Sequence, residues 1–265
     1  MEPDLRKDAA EVISEFIVSK VEDAGADGVV LGISGGVDSA LTMALCANAL
    51  GAEGVTAFLL PGHNSSEEDE RDAADYAATL GIIARKISVS SVADEIQRKL
   101  EMKDAKAKGN VNARIRMVIL YAFANEHNRL VAGTSNKSEF LTGYYTKYGD
   151  GASDMCPLGD LYKTQVWMLA RKMGVPEKIV SKKPTAGLWP GQTDEAEMGI
   201  TYAELDSILY CLERGMSGEE IVKATGLPSL EIEKVRLMIK RTAHKRSFPV
   251  MPKLGLKTAL EDWGI

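Results

Sequence analysis

The stretch Gly32-Ile33-Ser34-Gly35-Gly36-Val37-Asp38-Ser39 packs three glycines, two hydroxyls and one acid into a single turn. Before it, Asp27 to Ile33 is a short apolar run with β-branched residues, the mark of a buried strand. After it, Ala40, Leu41, Met43, Ala44, Leu45 and Leu50 are spaced as a helix that stops at Gly51. A glycine-rich turn between strand and helix aims backbone N–H groups at one point, and the helix start adds partial positive charge there. An anion such as phosphate is expected in that turn. The lysine that reaches the β- and γ-phosphates in a Walker A loop is missing, and Asp38 stands near the helix start instead. An acid beside phosphates implies a metal between them. Mg2+ prefers carboxylate, water and phosphate oxygens, which makes Asp38 a candidate ligand and leaves the Ser34 and Ser39 hydroxyls to donate to phosphate. The competing reading is a purely structural glycine turn with Asp38 as its cap.

The elements that must hold this turn alternate between strand and helix. Pro3 and Asp4 open an amphipathic stretch in which Ala9, Val12, Ile13, Phe16, Ile17 and Lys20 recur at helical spacing. Downstream, Gly54 to Leu60 predicts a second strand, Glu67 to Leu80 a helix, Ile82 to Val89 a third strand and Ala93 to Leu100 a helix. Val111 to Glu126 then predicts a long helix, and Leu130 to Ala132 a buried strand. Such alternation predicts an α/β fold with a doubly wound parallel sheet flanked by helices, because parallel crossovers are right-handed almost without exception.

From Gly143 to Gly199 the chain is rich in Gly, Pro, Tyr, Lys and Asp, broken by one helical segment at Gln165 to Lys172. Long segments of this kind are usually functional loops. Tyr202 to Leu212, Ser217 to Ala224 and Ser229 to Thr242 predict three further helices. The expected organisation is one domain over 1–265, with a core over about 1–142, substrate and lid loops over 143–199 and a helical extension over 200–265. The last helix runs into Arg241-Thr242-Ala243-His244-Lys245-Arg246, which spacing alone allows as a helix C-cap or as an anion clamp.

Composition narrows the partners. A chain of 265 residues, 45% hydrophobic and 26% charged, is ordinary globular material, and a net charge of −6 argues against nonspecific binding to duplex nucleic acid. Cys46, Cys156 and Cys211 are widely spaced and form no C-x-x-C pair, which supports neither a disulfide framework nor a zinc site. No apolar run reaches the roughly 18 residues of a membrane helix, and the amino terminus lacks a signal pattern, so a cytoplasmic protein is expected. No Ser-His-Asp or Cys-His set is implied, so covalent catalysis by the enzyme is not expected.

The run from Ser34 to Ser39 resembles the signature loop of the N-type ATP pyrophosphatases, which adenylate a substrate and release pyrophosphate. Four further blocks resemble NAD synthetase: Gly133-Thr134-Ser135-Asn136-Lys137-Ser138-Glu139, Tyr145-Thr146-Lys147-Tyr148-Gly149-Asp150-Gly151, Pro157-Leu158-Gly159-Asp160-Leu161-Tyr162-Lys163-Thr164 and Leu188-Trp189-Pro190-Gly191-Gln192-Thr193-Asp194-Glu195. The resemblance runs from the first helix to the basic tail and implies an adenine nucleotide alpha hydrolase-like fold. Members of that family amidate the nicotinate carboxylate of deamido-NAD, first forming an acyl adenylate and then letting ammonia displace AMP.

The resemblance also implies site residues. Asp38 and Glu139 would bind Mg2+, and ATP would contact Gly32, Ile33, Ser34, Gly35, Gly36, Val37, Asp38, Ser39, Thr134, Lys163 and Thr185. Lys163 would stabilise the phosphoryl transition state, with Asp38 as the other catalytic residue. Deamido-NAD would meet Arg114, Lys147, Asp154, His244 and Lys245. Position alone reads Lys163 as a solvated helix-start lysine and His244 as a surface histidine. Arg114 and Arg116 lie two residues apart on a helix, so at most one of them faces a site. The loop from Lys182 to Gly199 is expected to order over ATP and exclude water. The chain opens its synthetase helix almost at Met1, leaving no room for a preceding glutaminase domain, so free ammonia is the expected nitrogen source, with a separate glutaminase polypeptide as a possible supplier. The resemblance further implies a homodimer, with helices near Phe16 and Val118 as candidate surfaces. Rival readings are another adenylating amidoligase of the superfamily, a tRNA-thiolating enzyme, which would need a thiol relay and a basic face, and a noncatalytic ATP-binding module.

Overall fold

A computed structural model describes residues 1–185, 187 and 191–258. The block residues Leu188, Trp189 and Pro190 therefore lie outside the described residues. The amino-terminal half contains α1 (Ala9–Asp23), β1 (Val29–Gly32), α2 (Val37–Leu50), β2 (Val55–Leu59), α3 (Glu67–Thr79), β3 (Ala84–Lys86), α4 (Ser90–Lys99), α5 (Ala105–Glu126) and β4 (Leu130–Val131). Among the described residues the strands form one four-stranded parallel sheet in the order β3-β2-β1-β4. The chain winds outward from β1 through β2 to β3, then returns past β1 to place β4 on its other side. Strand order thus reverses between β1 and β4, the place in an open α/β sheet where ligands bind at the carboxyl ends of the strands.

Alternation along the strands divides the core. Val29, Leu31, Val55, Ala57 and Leu59 point to the face covered by α1 and α2, where Ile17, Leu41 and Leu45 are buried. Val30, Phe58 and Val131 point to the other face, against Ala93 of α4 and Ile115 and Ala124 of α5. Helices cover both faces, as the doubly wound reading requires.

After β4 come α6 (Lys137–Thr142), α7 (Lys163–Lys172), α8 (Glu177–Val180), α9 (Asp194–Met198), α10 (Tyr202–Glu213), α11 (Gly218–Thr225) and α12 (Ser229–Arg241), then a 3-10 turn at Ala243–Lys245. Tyr202, Leu205, Ile208, Ile221, Ile232 and Val235 build a second core, and Trp167 of α7 packs against both cores.

Most element boundaries shift by one to three residues from the sequence expectation, and four differences go further. α1 starts at Ala9 rather than near Pro3, because the preceding carbonyls serve α7: Gln165 Nε2 donates to Asp4 O at 2.7 Å and Lys172 Nζ to Lys7 O at 2.5 Å. β3 covers three residues rather than the span from Ile82 to Val89, since the Ile82 N–H is spent closing α3 on Ala77 O at 2.9 Å. α5 begins at Ala105, where the Asp104 carboxylate accepts the Ala107 N–H at 2.6 Å, six residues before the apolar pattern starts. The segment 143–199 holds α8 and α9 as well as α7, and α6 precedes it. At four to six residues, α6, α8 and α9 are too short to display a helical period.

Candidate active site

The turn after β1 braces itself. Gly35 takes φ +82°, the left-handed region, and a Cβ there would lie 2.4 Å from the Asp69 carbonyl oxygen at the start of α3. Gly36 is the N-cap of α2 in extended conformation. Ser39 Oγ donates to Gly36 O at 3.0 Å and accepts the Ser34 N–H at 3.2 Å, while Ser34 Oγ accepts the Gly36 N–H at 3.3 Å. Both serines thus hold the loop in the shape that turns the α2 start toward the end of β1.

Asp38, the second residue of α2, meets two elements from beyond β4. Lys163, the first residue of α7, is 2% exposed, and its ammonium pairs with the Asp38 carboxylate and lies 3.5 Å from Glu139 Oε1. Asn136 Nδ2 donates to Asp38 Oδ1 at 2.8 Å. Asn136 and Glu139 also cap α6 reciprocally: the Glu139 N–H donates to Asn136 Oδ1 at 3.0 Å and the Asn136 N–H to Glu139 Oε2 at 3.3 Å. The position-only reading of Lys163 as a solvated lysine does not hold, because α10 covers the start of α7 and places the Tyr202 ring 5.2 Å from Nζ.

Two carboxylates face one ammonium here. Burial pushes the Glu139 carboxyl up to about 8, and the charge on Asp38 acts in the same direction against Lys163. Burial alone would lower the Lys163 ammonium, but Asp38 and Glu139 outweigh it and hold the group above its ordinary value. Asp194 of α9, 5% exposed, adds a third acid: Oδ2 accepts from the Tyr202 hydroxyl at 3.2 Å, and burial raises its carboxyl. A buried excess of carboxylate suits a hard cation, and Asp38 and Glu139 both offer oxygen donors beside the Lys163 ammonium. Among the described residues no group of three or more His, Cys, Asp or Glu is arranged to hold a metal by itself, so further ligands would come from phosphate and water.

The remaining candidates fall in different places. Thr134 lies half-buried on the β4–α6 connection, within reach of the same end of the sheet. Thr185 is exposed, and its hydroxyl accepts the Gly187 N–H at 3.1 Å. Arg114 is exposed and donates to Lys147 O at 3.3 Å, whereas Arg116 Nε turns to Leu60 O at 2.8 Å; the pair splays as helical spacing demands. Lys147 Nζ donates to His244 O at 2.5 Å and Ser247 O at 3.0 Å, and Lys245 Nζ to the carbonyls of Gly143 and Tyr145, both at 2.6 Å. Arg114, Lys147, His244 and Lys245 thus gather where the tail meets the loop after α6. Asp154 sits apart from them in its contacts: it accepts the Val131 N–H at 2.7 Å and the Tyr121 hydroxyl at 3.1 Å, finishing the edge of β4.

A sequence model of the NAD synthase family matches residues 9–249. The chain belongs to the NAD synthase family. Among curated relatives, the NH3-dependent NAD+ synthetase of Thermococcus sibiricus is 47% identical over 252 residues, covering 93% of this chain and 98% of the relative. Among solved structures, NMN synthetase from Francisella tularensis superposes with a TM-score of 0.84 at 34% identity, covering 95% of this chain and 100% of the other. NH3-dependent NAD synthetase from Campylobacter jejuni, solved in complex with the nitrate ion, superposes with a TM-score of 0.79 at 34% identity, over 93% and 98% of the two chains.

In this NAD synthase family member the candidate site also brings together residues that the sequence reading did not single out. Asn136 is one, although its spacing of three residues from Glu139 is a helix-start signature. Asp194 is another; it lies inside a recognised block, but only the fold shows it buried beside Lys163. Ser138 and Asp206 are the third and fourth. Ser138 Oγ donates to Asp206 Oδ1 at 2.5 Å and accepts the Lys163 N–H at 3.0 Å, and Asp206 Oδ2 accepts the Thr164 N–H at 2.8 Å. Burial pushes the Asp206 carboxyl up to about 6, opposed by the Ser138 and Thr164 hydrogen bonds. The signal was legible: Tyr202, Leu205 and Leu209 mark the apolar stripe of α10, and Asp206 falls on it.

Proposed function

We propose that this chain converts deamido-NAD to NAD+ with ATP and ammonia. The observation that carries the reading is the buried Lys163 ammonium held between Asp38 and Glu139 at the strand-order reversal, next to a glycine turn built for phosphate. An oxygen of the nicotinate carboxylate attacks the α-phosphorus of ATP, and the bond from that phosphorus to the bridging oxygen breaks, releasing pyrophosphate. Ammonia then attacks the acyl carbon, AMP departs with the carboxylate oxygen, and a proton is lost from nitrogen. The turn from Gly32 to Ser39 receives the departing phosphates on its N–H groups, and Lys163 places positive charge on the α-phosphoryl oxygens as they gain negative charge. Thr134 and Thr185 flank the nucleotide. Mg2+ held by Asp38 and Glu139 would neutralise phosphate charge. Arg114, with its planar fork of donors, faces the dinucleotide pyrophosphate, and Lys147, Asp154, His244 and Lys245 orient the rest of deamido-NAD.

The test is product analysis with ATP, Mg2+, ammonium and deamido-NAD. Equal amounts of NAD+, AMP and pyrophosphate are expected, with formation slowed at least about 100-fold, to a residual measurable rate, in Asp38→Ala and Lys163→Ala. ADP as the spent nucleotide would overturn the adenylation step. Ammonium rather than glutamine as nitrogen donor is supported by the NH3-dependent relative, which aligns over 98% of its length; efficient glutamine use by the purified chain alone would reject it and remove any need for a separate glutaminase.

A second reading, amidation of the nicotinate mononucleotide, is favoured by the superposition on the Francisella NMN synthetase. The ratio of kcat/KM for the two acids decides between them. A homodimer is supported by the exposed apolar residues Val12 and Phe16 on α1 and Val118 on α5, and light scattering reads the mass. A cytoplasmic location is supported by three free cysteines and, among the described residues, by the absence of any helix long and apolar enough to cross a membrane; cell fractionation tests it.

A further inference from the structure

Gln165 of α7 reaches back to accept the Tyr162 N–H at 2.9 Å, but no side chain at the N-cap position serves the first N–H groups of the helix. Tyr162, the residue before it, sends its hydroxyl away to Glu213 at 2.6 Å. The first two N–H groups of the helix instead reach partners from other elements: Lys163 N–H finds Ser138 of α6, and Thr164 N–H finds Asp206 of α10. Ser138 and Asp206 are both 0% exposed and joined by their own hydrogen bond, so each Asp206 oxygen has one donor. A buried carboxylate is an expensive way to cap a helix, since Ser, Asp or Asn at position 162 would serve the Thr164 N–H locally. What a local cap could not do is tie α7 to α6.

The geometry points to Asp206 as a positioning residue for the proposed amidation. Through Ser138 it fixes α6, which carries Asn136 and Glu139. Through the start of α7 it fixes Lys163. One carboxylate thereby sets where the Lys163 ammonium stands relative to Asp38 and Glu139. It also supplies negative charge at the amino end of α7, which that helix end favours, leaving the Lys163 side chain as the positive group turned toward the phosphates. The inference rests on the reading of Lys163 as the cation that meets the α-phosphate.

The experiment is a kinetic double-mutant cycle on the full chain with Asp206→Asn and Lys163→Ala, measuring pyrophosphate release. Asparagine keeps the size but offers one acceptor oxygen where two are used. Asp206→Asn is expected to lower kcat about 10- to 100-fold, the range for a lost charge-assisted hydrogen bond, with KM for ATP and for deamido-NAD held within about twofold. In the Lys163→Ala background it should cost no more than about twofold further, because its effect acts through Lys163. A retained kcat, a rise in KM alone, or losses that multiply would overturn the assignment of Asp206 while leaving Lys163 in place. Wild-type activity in Lys163→Ala would instead remove the reading on which it rests. Should Asp206→Asn fail to fold, Ser138→Ala, which deletes a single oxygen, gives the same comparison, and an unchanged kcat there would equally overturn the proposal.

Discussion

Gly35→Ala is the sharpest test of how the phosphate turn is built. A methyl group at this position would stand 2.4 Å from the Asp69 carbonyl oxygen and 2.8 Å from Asp69 Cβ, where ordinary contact begins at 3.4 Å. The obstacle is backbone, so the start of α3 must retreat by about 1 Å or the turn must move; overpacking of this kind costs about 1–3 kcal/mol. The φ of +82° adds about 1 kcal/mol for a residue with a Cβ. The sum, about 2–4 kcal/mol, corresponds to a fall in Tm of roughly 5 to 15 °C for a chain of this size. Gly36→Ala is the matched control: its φ is −87°, and its added methyl would meet only Ser34 Oγ at 3.4 Å, so it should cost less than about 1 kcal/mol. Thermal unfolding of both variants without ligand reads the difference. Equal Tm values would mean that the contact between the turn and α3 does not shape the loop, and the reasoning would fail.

Asn136→Ala removes both the α6 cap and the donor to Asp38, and should destabilise the chain by about 1–2 kcal/mol in urea unfolding; no change would refute the shared role. Because burial lifts Glu139 from its ordinary 4.5 to about 8, the folded chain holds a proton across that window that the unfolded chain has released, so stability falls as pH rises through it. With a chelator present, wild type should lose stability between about pH 5 and 8 relative to Glu139→Gln, and parallel profiles would contradict a Glu139 carboxyl whose burial and neighbour Asp38 outweigh Lys163. Lys182, anchored to Asp69 and Asp72 of α3 at 2.6 and 2.5 Å, marks the root of the proposed lid. Saturating ATP, Mg2+ and deamido-NAD should slow proteolysis within 183–193, and unchanged cutting would count against closure.

What sequence could convey here depended on length and locality. β1, the glycine turn and α2 were legible because a buried strand, a turn that needs a left-handed glycine and a helix follow one another within a few residues. The doubly wound sheet was legible, but where its strand order reverses was not, since that depends on which side of β1 the two-residue β4 pairs. Asp38 and Glu139 were recognised from blocks of residues, but the fact that Lys163 sits between them, buried rather than solvated, depends on α10 folding over the start of α7. Asp206 shows the same limit from the other side. Its place on an apolar stripe announced that it would be buried, yet only the tertiary contact with Ser138 and Thr164 says what it holds.

The contacts of the basic tail bear on how this protein is handled. Arg246 donates to the carbonyls of Ile239, Phe140 and Leu141, and Lys147 reaches back to those of His244 and Ser247, so the segment just after α12 forms a two-way clasp with α6 and the loop that follows it. Trimming the chain just after Arg241, or fusing a bulky purification handle there, would open that clasp and disturb a loop some hundred positions upstream.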